Sequence, residues 1–175
     1  LRPRFSNTTP GAGDFIRASC AETTEEILDK ENLDHLKALH TSELDARNGY
    51  EEALEDAGSK GLAPLFRDML ALHESNAEHI EAVLIEAGEQ AGSDGSFMSV
   101  IHRTIMNLRS LFNGLDDSVL PGLIDGEKRN VDKYDKALNS PALPAPIQQL
   151  LTEQRSRIQQ KIALMDAQRA TAPQH

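Results

Sequence analysis

The chain has 175 residues, 28 of them acidic and 18 basic, for a formal net charge of −10. That length suits one domain, and the acidic balance excludes a general nucleic-acid binder, whose affinity rests on Lys and Arg neutralising phosphates. Cys20 is the single cysteine and cannot close an intrachain disulfide, no apolar run approaches the roughly 20 residues of a membrane span, and the N-terminal segment carries no apolar leader. A cytoplasmic protein with no nucleic-acid and no membrane partner is the expectation.

Residues 1–22 are rich in Pro, Gly, Ser and Thr and hold no lasting period, so they read as a flexible tail. Thr23 followed by Glu26 fits a capping box and opens the helical domain, expected over 23–169. Leu33, Leu36, Leu39, Glu43, Ala46, Tyr50 and Ala53 then advance by three or four, the spacing of one helix face. A break at Gly58 and Gly61 leads to a second helix with Leu62, Phe66, Met69, His73, Asn76, Ile80 and Val83 on one line. Gly88, Gly92 and Gly95 stop it. An apolar helix is predicted from about 96 to 112 through Phe97, Ile101, Ile105, Leu108 and Phe112.

The next helix carries Leu120, Leu123, Glu127, Val131, Tyr134 and Leu138, with Pro121 tolerable in its first turn. After the linker NSPALPAP, Pro146 suits a first helical position. The last helix, about 147–169, aligns Ile147, Leu150 or Leu151, Gln154, Ile158, Ile162 and Met165, and residues 170–175 read as a frayed end. Alternating strand patterns are absent, so the fold class is all-α.

The topology follows from an internal repeat. Leu36, Leu39, Glu43, Tyr50, Ala53 and Leu54 recur 84 residues later as Leu120, Leu123, Glu127, Tyr134, Ala137 and Leu138. Each set is followed by a proline, Pro64 or Pro146, and another long helix. Two such hairpins, neither able to bury its own apolar stripe, pack face to face. The 96–112 segment then makes one long crossover, giving a four-helix bundle with an additional helix in that connection.

Glu43 and Glu127 fall within otherwise apolar stripes, where each carboxylate needs a hydrogen bond, a cation, a metal or a route to water. Opposed carboxylates from related helices can bridge cations such as Fe, Mn or Zn, with Tyr50 and Tyr134 orienting them through hydrogen bonds. A bundle di-metal site also draws Glu-x-x-His from each of the other two helices. Here the second helix offers His73, Glu78 and His79 in other spacings, and the last offers Gln159, Gln160 and Lys161. Lys161, Arg47 or Lys133 could instead neutralise a carboxylate directly. No Gly-rich phosphate loop or nucleophile elbow is present, and no catalytic residue is assigned.

Glu43, Ala46 and Tyr50 resemble the E-x-x-A-x-x-x-Y first-helix pattern of the ferritin-like superfamily. LDARNGYEEAL, GSFMSVIHRTIMNLRSLFNGLDDSVL and DGEKRNVDKYDKAL more closely resemble the DUF2383 family of small bacterial proteins, over about residues 32–167. The resemblance implies a ferritin-like bundle, often a homodimer. It maps metal-ligand positions onto Glu43 and Glu127, onto Asn76 and His79 as the nearest phase of the second helix, and onto Ile158 and Lys161 of the last. The reading carried forward is a structural or stress-related interaction protein with a protein partner and without a complete di-iron site. Its rival is a metal-binding or oxidase-like protein using Glu43, Glu127, His73, Glu78 and His79.

Overall fold

The structure, a computed structural model, describes residues 28–57, 61–89 and 119–171. Within them are four helices and no strand: α1 (Lys30–Ala57), α2 (Ala63–Glu86), α3 (Leu120–Leu138) and α4 (Ala145–Thr171). The Thr23 start, the tail with Cys20, the 96–112 helix and residues 172–175 of the expected frayed end lie outside the described residues, while Ala170 and Thr171 of that end continue α4 as helix. None of the described helices is long and apolar enough to cross a membrane.

Local chemistry sets the boundaries. At the start of α1 the Asp29 carboxylate accepts the Asn32 backbone N–H at 2.8 Å, filling one of the donors that a helix N-terminus leaves open. Pro64 sits in the first turn of α2 and Pro121 in that of α3, where a missing N–H costs nothing. α2 closes on Gly88, whose φ of +78° is open to glycine. Gly88 N–H then reaches the Ile85 carbonyl at 2.9 Å and Glu89 N–H the Leu84 carbonyl at 2.9 Å, the paired bonds of a Schellman end.

α1 packs along α2, α3 along α4, α1 against α3, and α2 more loosely against α4. The helices therefore form a bundle in which α2 and α3 occupy diagonal corners. Its interior has two apolar layers. One joins Leu36 and Leu39 with Ile80, Leu84, Val131, Tyr134, Leu151 and Ile158. The other joins Tyr50 with Leu62, Phe66, Met69, Val119, Leu120, Ile124 and Met165.

Following these layers along each helix gives the directions. α1 and α4 run from the first layer to the second, while α2 and α3 run from the second to the first. α2 thus ends at one end of the bundle and α3 begins at the other, a helix length of about 36 Å away at 1.5 Å per residue. This is the one-crossover connectivity that the repeat predicts.

The predicted stripes hold with single-residue slips. Leu84 is buried where Val83 is expected, and Ile124 where Leu123 is expected, each of the displaced residues being half-buried. A 3.6-residue turn lets the core position step by three or by four, and spacing alone does not choose between them. The ambiguity between Leu150 and Leu151 resolves to Leu151, which is fully buried.

Candidate functional site

Between the two apolar layers lies a polar one, with Ser42 and Glu43 from α1, His73 and Asn76 from α2, Glu127 and Asn130 from α3, and Gln154 from α4, all buried. Each sits on its helix's inward stripe, at three- or four-residue steps from apolar core positions, so the same periodicity that builds the core delivers them to its middle.

Glu43 is the hub. Its Oε1 accepts hydrogen bonds from Asn130 Nδ2 at 2.8 Å and Tyr134 OH at 3.0 Å. Its Oε2 faces His73 Nδ1 at 2.8 Å and accepts from Asn76 Nδ2 at 3.1 Å. Four donors thus occupy the roughly four lone-pair sites of one carboxylate. Glu127 is less well served: Oε1 accepts from Tyr50 OH at 2.8 Å and faces His73 Nε2 at 3.2 Å, while Oε2 is buried without a partner. Asn76 Oδ1 is likewise buried and unpartnered.

His73 therefore stands between two carboxylates, with a ring nitrogen turned to each. Only the doubly protonated imidazolium can donate to both. Burial opposes that charge, but the fields and hydrogen bonds of Glu127 and Glu43 outweigh it and push the His73 pKa up to about 10. The Tyr50 ring stacks on the imidazole at 5.5 Å between centroids and 9° between planes. Burial and then Glu127 raise the Tyr50 pKa, and burial and then Glu43 raise that of Tyr134, so both phenols stay protonated and donate. With both carboxylates ionised, the Glu43–His73–Glu127 triad carries one net negative charge.

The repeat reappears here as a reciprocal exchange. Tyr50 of the first hairpin binds Glu127 of the second, and Tyr134 of the second binds Glu43 of the first. The symmetry stops at the partner helices. α2 supplies His73 and Asn76, whereas α4 supplies Gln154, which takes a 3.2 Å bond from Tyr134 OH and donates to the Asn76 carbonyl at 3.1 Å.

Several sequence candidates fall elsewhere. Glu78 and His79 are exposed on the outer side of α2 and stay apart from the cluster, Glu78 one residue past buried Ala77 and His79 one residue short of buried Ile80. Lys161 pairs with Asp68 at 3.0 Å, Arg47 bonds Asn48, and Lys133 donates to Ser42 at 2.7 Å, so none of these cations reaches Glu43 or Glu127. Ile158 is plain core. The cation between the carboxylates is His73.

Two members escaped the sequence reading. Asn130 stands three residues after Glu127 and four before Tyr134, a spacing that already placed it on the inward face. Ser42 donates to Asn130 Oδ1 at 2.9 Å while accepting from Lys133, so a hydrogen-bonded line runs from an exposed ammonium to Glu43. An ammonium only donates, so Ser42 passes its own proton onward and turns the amide end of Asn130 toward the carboxylate.

A pair of bridged metals does not fit this donor set. Every oxygen site of Glu43 is engaged by a protein donor, α4 offers Gln154 and Ile158 at the matching level, and an imidazolium fills the space between the carboxylates. No group of three or more His, Cys, Asp or Glu among the described residues has a metal-holding arrangement.

No curated protein matches the chain. The family model described as "Domain of unknown function (DUF2383)" matches residues 31–140. That span holds all but the first residue of α1, the whole of α2 and α3 and every residue of the triad, and it makes the chain a member of the DUF2383 family.

Proposed function

We propose that this protein is a structural and interaction protein whose buried charge is closed upon itself, the work being done at its surface. One observation carries the reading: Glu43 has its oxygens saturated by donors from α2 and α3, with the His73 imidazolium standing where a bridging cation would stand. A buried ion pair contributes little net stability against an apolar core, but breaking one is costly. Such a cluster specifies which faces meet. Here it fixes the register of the two hairpins, since Glu43–Asn130, Glu43–Tyr134, Tyr50–Glu127 and His73–Glu127 all cross between them.

A second reading is a single bound cation. It is favoured by the two buried acceptors without donors, Glu127 Oε2 and Asn76 Oδ1, beside a triad with one excess negative charge. Hard oxygen atoms of this kind suit Mg, Mn or ferrous iron better than a soft ion.

The test is to load tag-free protein anaerobically with ferrous iron, manganese or zinc, remove free metal, and count metal per chain by mass spectrometry. Wild type, Glu43→Gln and Glu127→Gln are compared. Metal at trace level throughout is the expected result. One equivalent that disappears with Glu127→Gln supports the second reading, and two equivalents lost in both variants overturn the first.

A further inference from the structure

The chain that joins α2 to α3 leaves the described residues at Glu89 and re-enters them at Val119, and both of these residues are held on α1. Glu89 pairs with Lys37 of α1 at 2.7 Å. Val119 shares its core layer with Tyr50 of α1. The two anchor points, Lys37 and Tyr50, lie about 20 Å apart along one helix at 1.5 Å per residue. Because α2 and α3 stand at diagonal corners of the bundle, the connection between them passes over either α1 or α4.

The two helices differ in how open they are to water. From Leu39 to Tyr50, through three turns, no residue of α1 is exposed. Thr41, Asp45 and Asn48 step by four and three along the side of α1 opposite Glu43, and yet they are half-buried. Leu44 is half-buried while belonging to neither apolar layer, and Asp45 Oδ1 is buried without a partner. Among the described helices, α1 packs along α2 and α3, on its inward half. These outward positions owe their cover to another part of the chain. At the same level α4 is open, with Thr152, Glu153, Ser156, Arg157, Gln159 and Gln160 all exposed.

Charge favours the same side. Residues 96–112, an apolar helix by their spacing, hold Arg103 and Arg109 and no acidic residue, within a chain of net charge −10. α1 carries 8 acidic and 3 basic residues, net −5, whereas α4 carries 2 acidic and 4 basic, net +2. The cationic segment is therefore attracted to α1 and repelled by α4.

We propose that residues 96–112 dock lengthwise on the outer side of α1, over Thr41, Leu44, Asp45 and Asn48. The segment enters at the Lys37 end and leaves at the Tyr50 end, so it runs parallel to α1. Its length suits the span, since 17 helical residues reach about 25 Å and the flanking residues close the ends. The short side chains of Thr41, Asp45 and Asn48 admit a second helix at the usual interaxial distance of about 8–10 Å. The inference goes beyond the functional reading above and is independent of the triad, because the residues it uses on α1 lie on the far side from Glu43.

Pulsed electron spin resonance between pairs of nitroxide labels tests it, on the full chain carrying Cys20→Ser. Ala38 of α1 and Ser156 of α4 are both exposed and accept a label without entering an interface. Thr104→Cys with Ala38→Cys should give a narrow distance of about 20 Å, and Thr104→Cys with Ser156→Cys one of about 30 Å or more, because α1 and the bundle then stand between the labels. Ser99→Cys with Ala38→Cys and Ser110→Cys with Glu51→Cys should both lie near 20 Å, as a parallel run requires. The second set also stands alone should the Thr104 variant fail to fold. A shorter distance to Ser156 than to Ala38, broad distributions for every pair, or an antiparallel order would each overturn the proposal. A segment remote from α1 would overturn it too, and would leave residues 1–27 as the cover of Thr41 and Asn48. Far-ultraviolet circular dichroism and a thermal melt of each labelled variant establish that the fold is retained.

Discussion

Glu43 and Glu127 are equivalent by the repeat, yet replacing them with glutamine should have very different costs. In Glu43→Gln one oxygen becomes an NH2 group. Whichever way the amide turns, that group meets two donors, either His73 Nδ1 and Asn76 Nδ2 or Asn130 Nδ2 and Tyr134 OH. Turned toward Asn130 and Tyr134, it leaves Asn130 Nδ2 without an acceptor at about 1–3 kcal/mol, while Tyr134 OH keeps Gln154 Oε1. With the NH2 group itself also facing donors, a loss of about 3 kcal/mol follows, or about 10 °C in melting temperature for a domain of this size. In Glu127→Gln the carbonyl can face Tyr50 OH and His73 Nε2 while the NH2 group takes the unpartnered Oε2 position. The change in net charge of the triad is the same in both variants, so the difference lies in the donors left unpartnered, and the expected loss here is about 1 kcal/mol. Urea denaturation at pH 7 measures both. Equal costs for the two substitutions, or a Glu43→Gln cost below about 1 kcal/mol, would refute the assignment of Glu43 as the saturated hub.

Two pH-linked predictions accompany it. The folded His73 pKa, about 10, exceeds the ordinary 6.5, so its stabilising contribution is complete below pH 6.5 and is lost as pH rises through about 10. Denaturation between pH 7 and 10.5 should show this decline in wild type but not in a folded His73→Gln variant; parallel profiles would count against a charged ring. Burial raises the Asp45 pKa to about 6 despite the pull of Lys133, and Asp45 Oδ1 is buried without a partner. Its contribution is therefore favourable below about pH 4 and is lost as pH rises through 6. Asp45→Asn should gain about 1 kcal/mol at pH 7, after allowance for its half exposure, and nothing at pH 4. A loss at pH 7 would contradict the burial argument.

The fold was readable because three- and four-residue spacing reports which face of a helix is buried, and the Glu–Tyr repeat reports which helices are related. Those signals placed Leu36, Leu39, Tyr50, Phe66, Tyr134 and Ile158 inside, where the structure holds them. They also placed Glu43, His73 and Glu127 on inward stripes. What they could not convey was who meets whom. Tyr50 and Glu43 share one helix, yet each binds the other hairpin, because residues seven apart stand about 10 Å from each other along the axis. Spacing put His73 on the inward stripe and His79 off it, but it did not choose which inward residue of α2 would meet the carboxylates. That choice depends on the level at which α2 crosses α1, set by how Leu36 and Leu39 pack with Ile80 and Leu84.

The two halves of the bundle share a frame and differ in what fills it. The Tyr–Glu exchange is symmetric, and in a symmetric bundle each carboxylate would face the same partner helix chemistry. Here α2 brings a cation and an amide to the centre, while α4 brings only Gln154, so Glu43 is saturated and Glu127 keeps one oxygen idle. The imbalance has a geometric origin. His73 has two ring nitrogens facing opposite ways, and serving both glutamates with one ring leaves the second hairpin no cation of its own at this level. One imidazolium thus does for two carboxylates what separate cations would otherwise do, at the expense of one net negative charge and one unmatched oxygen. Supplying a donor from α4 is the corresponding way to relieve it. Ile158, the core position one turn beyond Gln154, instead packs fully buried in the cluster of Leu36, Leu39, Ile80 and Tyr134, where its side chain contributes about 2 kcal/mol of apolar burial, so that turn of α4 serves the core rather than the carboxylates.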